Sequence, residues 1–284
     1  MAISASMVKE LRERTGVGMM DCKKALIETG GDIEAAIDNL RKSSGMKAAK
    51  KAGRIARDGL IAIKMADDGQ LGIMVEVNCE TDFAARDENF VAFVQTVANM
   101  VFEKKSGDVD ELLALGLETA REELVQKIGE NISIRRAEVY STPSVYSYVH
   151  TTNRIGVLVS LDEGNAQLGK DIAMHVAASA PAVISPDDVS EDVIAREREI
   201  YAAQAEESGK PPEIVAKMID GRIRKYLQEI SLSEQAFVKD PDVNVGALLK
   251  EEDANVTAFV RFEVGEGIEK ESIDFAAEVA NQLK

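Results

Sequence analysis

Two stretches of the sequence carry the same succession of signals, and that repetition limits the fold more than any single motif does. In the first, Leu60-Ile61-Ala62-Ile63 and Gly72-Ile73-Met74-Val75-Glu76-Val77 flank the turn Asp67-Asp68-Gly69, the pattern of a β-hairpin. A helix follows with Phe90, Phe93, Val94, Val97 and Val101 on one stripe. A second helix over 109–128 leads to a strand alternating through Ile132, Ile134 and Ala137 toward Val139. In the second stretch, 145–149 and Gly156-Val157-Leu158-Val159-Ser160-Leu161 form the hairpin and 168–178 the helix, with Gly156 in the place of Gly72. The expected class is α+β, with a core of two related halves built on antiparallel sheets.

The closing strand of the second half, 256–264, arrives only after a long insertion. Within it, 186–205 and 214–230 read as two helices joined at Ser208-Gly209-Lys210-Pro211-Pro212, a projecting coiled-coil hairpin with Ser185 as N-cap and Pro186 at the first helical position. Ahead of the core, residues 4–43 read as three short helices. Gly16 and Gly18 punctuate the first, Gly30-Gly31 end the second, and Asp32 caps the third, which carries Ile33, Ala36, Ile37 and Leu40. About 40 residues make a marginal core, so this reads as a small module tethered to a larger body. The tether, 41–57, carries Arg41, Lys42, Lys47, Lys50, Lys51, Arg54 and Arg57 and no acid. A last amphipathic helix is expected over 270–283.

Charge excludes a general nucleic-acid binder: 34 basic against 50 acidic side chains leave a formal charge of −16, which repels phosphate backbones. The tether is the one locally basic exception. No aromatic side chain interleaves it, so a solvated linker helix is favoured over a stacking platform. With no Trp and 5% aromatics, the cores must be built from Ala, Val, Ile, Leu and Met. Cys22 and Cys79 form neither a disulfide framework nor a zinc spacing. The start of the chain lacks a signal-peptide pattern, and no apolar run reaches the length of a membrane helix. A cytoplasmic protein with no membrane partner is expected.

The sharpest catalytic candidate is Gly164-Asn165-Ala166-Gln167-Leu168-Gly169-Lys170-Asp171, a G-x-x-x-x-G-K spine between a strand and a helix. Asp171 stands where a P-loop needs a Ser or Thr hydroxyl for Mg²⁺, and would set a carboxylate near phosphate. The imidazoles of His150 and His175 are too far apart in sequence for a histidine metal cluster. His175 follows Asp171 by one helical turn, which favours an i,i+4 pair. His150 at a strand end is open between surface, core edge and contact residue. Met19-Met20 is equally open between core packing and an adaptable contact surface. In Asn78-Cys79-Glu80-Thr81-Asp82-Phe83-Ala84-Ala85, a large aromatic sits beside an acid in a short polar connection. Phe83 either folds back under the next helix or faces a partner.

Several long blocks in order, residues 11–26, Asn78 to Phe83, Ile128-Gly129-Glu130-Asn131-Ile132, Ile172-Ala173-Met174-His175-Val176-Ala177-Ala178 and Arg261-Phe262-Glu263-Val264-Gly265-Glu266-Gly267, resemble the bacterial translation elongation factor Ts family. The resemblance implies a ubiquitin-associated-like three-helix module with its linker (1–54), core halves at 55–140 and at 141–184 with 231–264, the inserted hairpin (185–230), and a C-terminal helix module (265–284). It implies a non-enzymatic guanine-nucleotide exchange factor, without a cofactor or metal of its own, for the GTPase elongation factor Tu. By the same resemblance, Thr81, Asp82, Phe83 and Ala84 form the loop that disturbs the partner's Mg²⁺ site. Met19, Met20, Lys23, Ile128, Gly129, His150 and Val238 are further contacts. Ala84 departs from the usual Val of that loop. Lys239 and Asp171 fall where relatives differ and take no assignment. A homodimer or 2:2 complex through the core or hairpin stays open. The competing readings are an interaction adaptor without exchange activity and a nucleotide-binding enzyme built on Lys170.

Overall fold

The structure is a computed structural model that describes residues 3–206 and 211–269; the helix expected over 270–283 and the tip of the hairpin at 207–210 lie outside the described residues. The chain opens with α1 (Ala5–Thr15), α2 (Met19–Glu28) and α3 (Ile33–Lys51). The Ser4 hydroxyl accepts from the Met7 amide, and the Asp32 carboxylate accepts from the Ala35 amide, so α1 and α3 start on capped ends. Val8, Leu11, Cys22, Leu26 and Leu40 close a small core of their own. The expected end of the third helix is corrected: α3 does not stop near residue 43 but is continuous with the linker helix expected over the tether and runs to Lys51. Its cations find acids there, Arg41 on Glu123 at 3.2 Å and Lys47 on Asp21 at 2.8 Å. Lys50 and Lys51 in the last turn complement the helix dipole.

The first half of the core follows: β1 (Asp58–Met65), β2 (Leu71–Cys79), α4 (Asp82–Ala85), α5 (Glu88–Lys104), α6 (Val109–Leu112), α7 (Glu118–Ile128) and β3 (Ser133–Ser141). The strands form an antiparallel sheet in the order β1-β2-β3, with Leu60 opposite Val77 and Val75 opposite Ala137. The helix expected over 109–128 is interrupted. Residues 113–117 form a wide turn around Gly116, whose φ of 115° ends α6 and restarts the chain as α7. Ile73, Val75 and Val77 of β2 pack with Phe90, Val94, Val97 and Val125 beneath the helices.

The second half has β4 (Val145–Val149), β5 (Ile155–Leu161) and α8 (Ala166–Ser179). The insertion then supplies α9 (Glu191–Glu206) and α10 (Pro212–Ile230), linked by Arg198 to Asp220 at 2.7 Å and by Arg222 to Gln204 at 2.6 Å. Ser185 and Pro186 do not cap α9 as expected. They open a separate tight turn, Pro186–Asp188, in which the Asp188 carboxylate accepts from the Ser185 amide at 2.8 Å. Three elements escape the periodicity altogether because they are short: β6 (Ala236–Phe237), β7 (Asp240–Asn244) and α11 (Val245–Glu251). Finally β8 (Val256–Glu263) pairs with β5, giving the antiparallel order β4-β5-β8 that the repeat predicts.

The two sheets pack face to face, with helices on their outer sides. Alternation along each central strand explains why both β2 and β5 read as continuous apolar runs. Val157, Val159 and Leu161 point toward α8, whereas Leu158 turns to the other face and meets Ile61, Met74, Val145 and Phe262 from between the sheets. Gly72 and Gly156 both lie on this shared face. A Cβ on Gly156 would stand 2.6 Å from Ile61 Cγ2, so only a hydrogen fits. Among the described residues, no helix is long and apolar enough to cross a membrane.

Candidate functional site

The polar connection after β2 is built to present one aromatic ring. Thr81 caps α4: its hydroxyl oxygen accepts from the Ala84 amide at 3.2 Å, and the chain makes a single helical turn before α5 starts at its own cap, Asp87. In that turn Phe83 points outward and is 80% exposed, the most exposed of the large apolar side chains among the described residues. Ala84 points the other way and is buried in the first-half core with Cys79 and Phe90. Its side chain therefore anchors the loop. Asp82 is on the surface, paired with Arg86 at 2.8 Å. An exposed i,i+4 pair contributes little, so Asp82 can exchange this partner at small cost.

Two carboxylates lock the loop to the end of α7. Glu130 Oε2 accepts from the amides of Glu80 and Thr81, each at 3.0 Å, and Glu130 Oε1 accepts from the Thr81 hydroxyl at 2.6 Å. In return, Glu80 Oε1 accepts from the Asn131 amide at 2.6 Å. Asn131 also donates to the Arg54 carbonyl at 2.7 Å, which fixes the chain leaving α3. Beneath the loop, the Cys79 thiol donates to the Thr81 carbonyl at 3.2 Å. Burial, then the charges of Glu130 and Asp58, pushes this thiol up to about 12, so it stays protonated and unreactive. Glu80, Glu130 and Asn131 carry no motif of their own. The one hint is that all three belong to the blocks on which the family resemblance rests.

Phe83, Ile128 and Glu130 line one cleft together with Gly16 of the N-terminal module and Asn89 and Lys127 of the core. Gly129, the left-handed C-cap of α7, receives Lys51 Nζ on its carbonyl at 2.5 Å. The module is thus seated beside the loop from two sides, by its α1–α2 turn and by the end of α3. At the start of α2, Met19 is exposed and Met20 is 75% exposed; Lys23 is exposed one turn on. This resolves the open reading of the methionine pair: neither side chain is core.

His150 and Val238 lie on the second half. His150 is exposed just after β4, in a turn where the Asn153 carbonyl accepts from the Ile61 amide at 2.8 Å. Val238 is exposed just after β6, and its backbone amide donates to His175 Nδ1 at 3.2 Å. His175 corrects the expected helical pair. Its ring is buried, with Nε2 2.9 Å from Gln235 Oε1, whereas Asp171 pairs with Lys239 at 2.6 Å. Nδ1 accepts, so Nε2 carries the proton and the ring is neutral; burial pulls its pKa below the ordinary value. Sequence reasoning missed this role because helical spacing suggested Asp171 and could not show the segment packed across α8.

The G-x-x-x-x-G-K segment holds no phosphate cradle. Asn165 caps α8 by accepting from the Gln167 and Leu168 amides at 2.9 and 3.0 Å, so the donors that would face a phosphate are already used. Gly169 is inside the helix against the Tyr146 ring, where a Cβ would come within 2.1 Å.

The family model described as Elongation factor TS matches residues 80–266. Elongation factor Ts of Hahella chejuensis is 67% identical over 283 residues, covering 100% of this chain and 99% of the relative. Those of Saccharophagus degradans and Teredinibacter turnerae are 58% and 57% identical, each covering 100% of this chain and 98% of the relative. The matches run through the loop, the end of α7, the His175 helix and the last strand, and the chain belongs to the elongation factor Ts family.

Proposed function

We propose that the chain is a guanine-nucleotide exchange factor of translation elongation, acting in the cytoplasm on GDP-bound elongation factor Tu without covalent chemistry. The observation that carries this reading is Phe83, an exposed ring held on a loop that is hydrogen-bonded to the rest of the core. In a GTPase, Mg²⁺ bridges phosphate oxygens, so displacing the side chains and water around it weakens diphosphate binding. Phe83 supplies the wedge, since burying its ring in the partner gains roughly 1.5 to 3 kcal/mol. Asp82, released from Arg86, competes in the polar network around the metal. The coupling is reciprocal: the chain binds empty partner more tightly than nucleotide-bound partner, and incoming nucleotide releases it.

The other contacts belong to the same reading. Met19, Met20 and Lys23 would dock a ubiquitin-associated-like module (1–54). Ile128 and Gly129 would extend the Phe83 contact. His150 and Val238 would engage the partner from the second half. The core halves at 55–140 and at 141–184 with 231–264 hold these surfaces apart, supported by their separate buried clusters. The hairpin at 185–230 would serve as a coiled-coil arm, and a homodimer or 2:2 complex would use the core or this arm. The test is release of a fluorescent GDP analogue from elongation factor Tu: the chain accelerates it at substoichiometric amounts. Binding of nucleotide by the chain alone, without acceleration, would contradict the reading.

A further inference from the structure

We propose that Glu130 is the positioning residue of the exchange loop, which fixes Phe83 relative to the end of α7; this inference rests on the exchange reading. Glu130 accepts three hydrogen bonds from the two residues immediately ahead of α4, from the Glu80 and Thr81 amides and the Thr81 hydroxyl, at 3.0, 3.0 and 2.6 Å. It directly follows Gly129, whose left-handed conformation ends α7 and turns the chain toward the loop. The same carboxylate therefore ties the base of the Phe83 turn to Ile128 and Gly129. Phe83 is otherwise almost free of its own protein, at 80% exposed. Its direction is set by the backbone beneath it and not by packing around its ring. Hydrogen bonds to a charged acceptor are the strong kind, and these carry the attachment into the loop beyond the last pair of the β2–β3 ladder, Asn78 opposite Ser133.

A wedge works only when its orientation is fixed before contact, because ordering the loop on binding would consume the interaction it makes. Losing Glu130 leaves Phe83 present but loosely aimed. The saturating rate of nucleotide release then falls while affinity for the partner, spread over the other contacts, changes less. A residue that only stabilises the fold would not produce that split.

The experiment uses the full chain with elongation factor Tu carrying a fluorescent GDP analogue, and reads both the saturating release rate and the half-saturating concentration. Glu130→Ala is expected to lower the saturating rate by about tenfold, the size expected for losing hydrogen bonds to a charged group. Glu130→Gln keeps an acceptor for the two amides and should restore most of it. In a Phe83→Ala background, Glu130→Ala should give no further loss, since it acts through that ring. Should Glu130→Ala lose its fold in thermal unfolding, Thr81→Asp, which keeps a capping acceptor for α4 but cannot donate to Glu130, removes the 2.6 Å bond from the other side and enters the same cycle. Native acceleration that Glu130→Ala leaves intact, or losses that multiply in the double variant, would overturn the positioning role while the exchange reading stands. No acceleration by the native chain would overturn both.

Discussion

The amide of Gly265, just past the last strand of the second half, donates to the carboxylate of Glu76 on the central strand of the first half at 2.9 Å. Glu76 is fully buried and also receives Arg135 at 3.0 Å, Arg136 at 2.6 Å and the Asn78 side chain at 3.1 Å. Burial alone would raise its pKa, but these donors overcome desolvation and hold the carboxyl below its usual range. Both arginines reach on to the 263–266 segment, so one anion joins the two halves. Glu76→Ala is expected to lower stability by about 2 to 4 kcal/mol in urea unfolding, under the full value for a buried pair because both arginines keep some water. A depressed carboxyl contributes stability above its unfolded pKa that is lost as pH falls through the folded one. The native protein should therefore weaken below about pH 4.5 more steeply than Glu76→Gln does.

Gly156→Val tests the packing between the sheets. Its first added carbon would stand 2.6 Å from Ile61 Cγ2 and 2.9 Å from Met74 Sδ. Overpacking of this kind costs about 1 to 3 kcal/mol, read as a lower urea midpoint with an unchanged slope.

His175 predicts a pH dependence near neutrality. Its folded pKa lies below the ordinary value of 6.5, so the unfolded chain binds the extra proton first. Stability is then present above pH 6.5 and declines as pH falls below it. His175→Gln should flatten the decline of stability as pH falls through and below 6.5. An identical slope in native and variant proteins would contradict the neutral, buried ring.

The N-terminal contact should act on affinity and not on the chemistry at the partner's metal. Met20→Ala removes an exposed side chain, so the fold is unaffected. Its expected effect is a rise of roughly fivefold in the half-saturating concentration for GDP release, about 1 kcal/mol, with the saturating rate near native.

Period and punctuation made much of the architecture legible. Both hairpins, the Phe90–Val101 stripe and the Asp32 cap appear where the residues predict them, because each depends on chemistry within a few positions. Failures came where a distant segment decides the outcome. Helix α3 continues beyond residue 43 on acids from α2 and α7, and His175 bonds to a segment more than two helices further along. In the site, local chemistry made Phe83 legible as a misplaced aromatic with two open fates, and only the family resemblance gave it a role. The Glu130 clamp was not legible, because a carboxylate in a turn looks solvated until its three donors are known.

The most direct test of the account is release of a fluorescent GDP analogue from elongation factor Tu at fixed Mg²⁺, with no addition, with the native chain and with Phe83→Ala. Because Phe83 is exposed, the variant should fold as the native chain does. The account predicts strong acceleration by the native chain and at least about a tenfold smaller saturating rate with the variant. Equal acceleration by both proteins would contradict it.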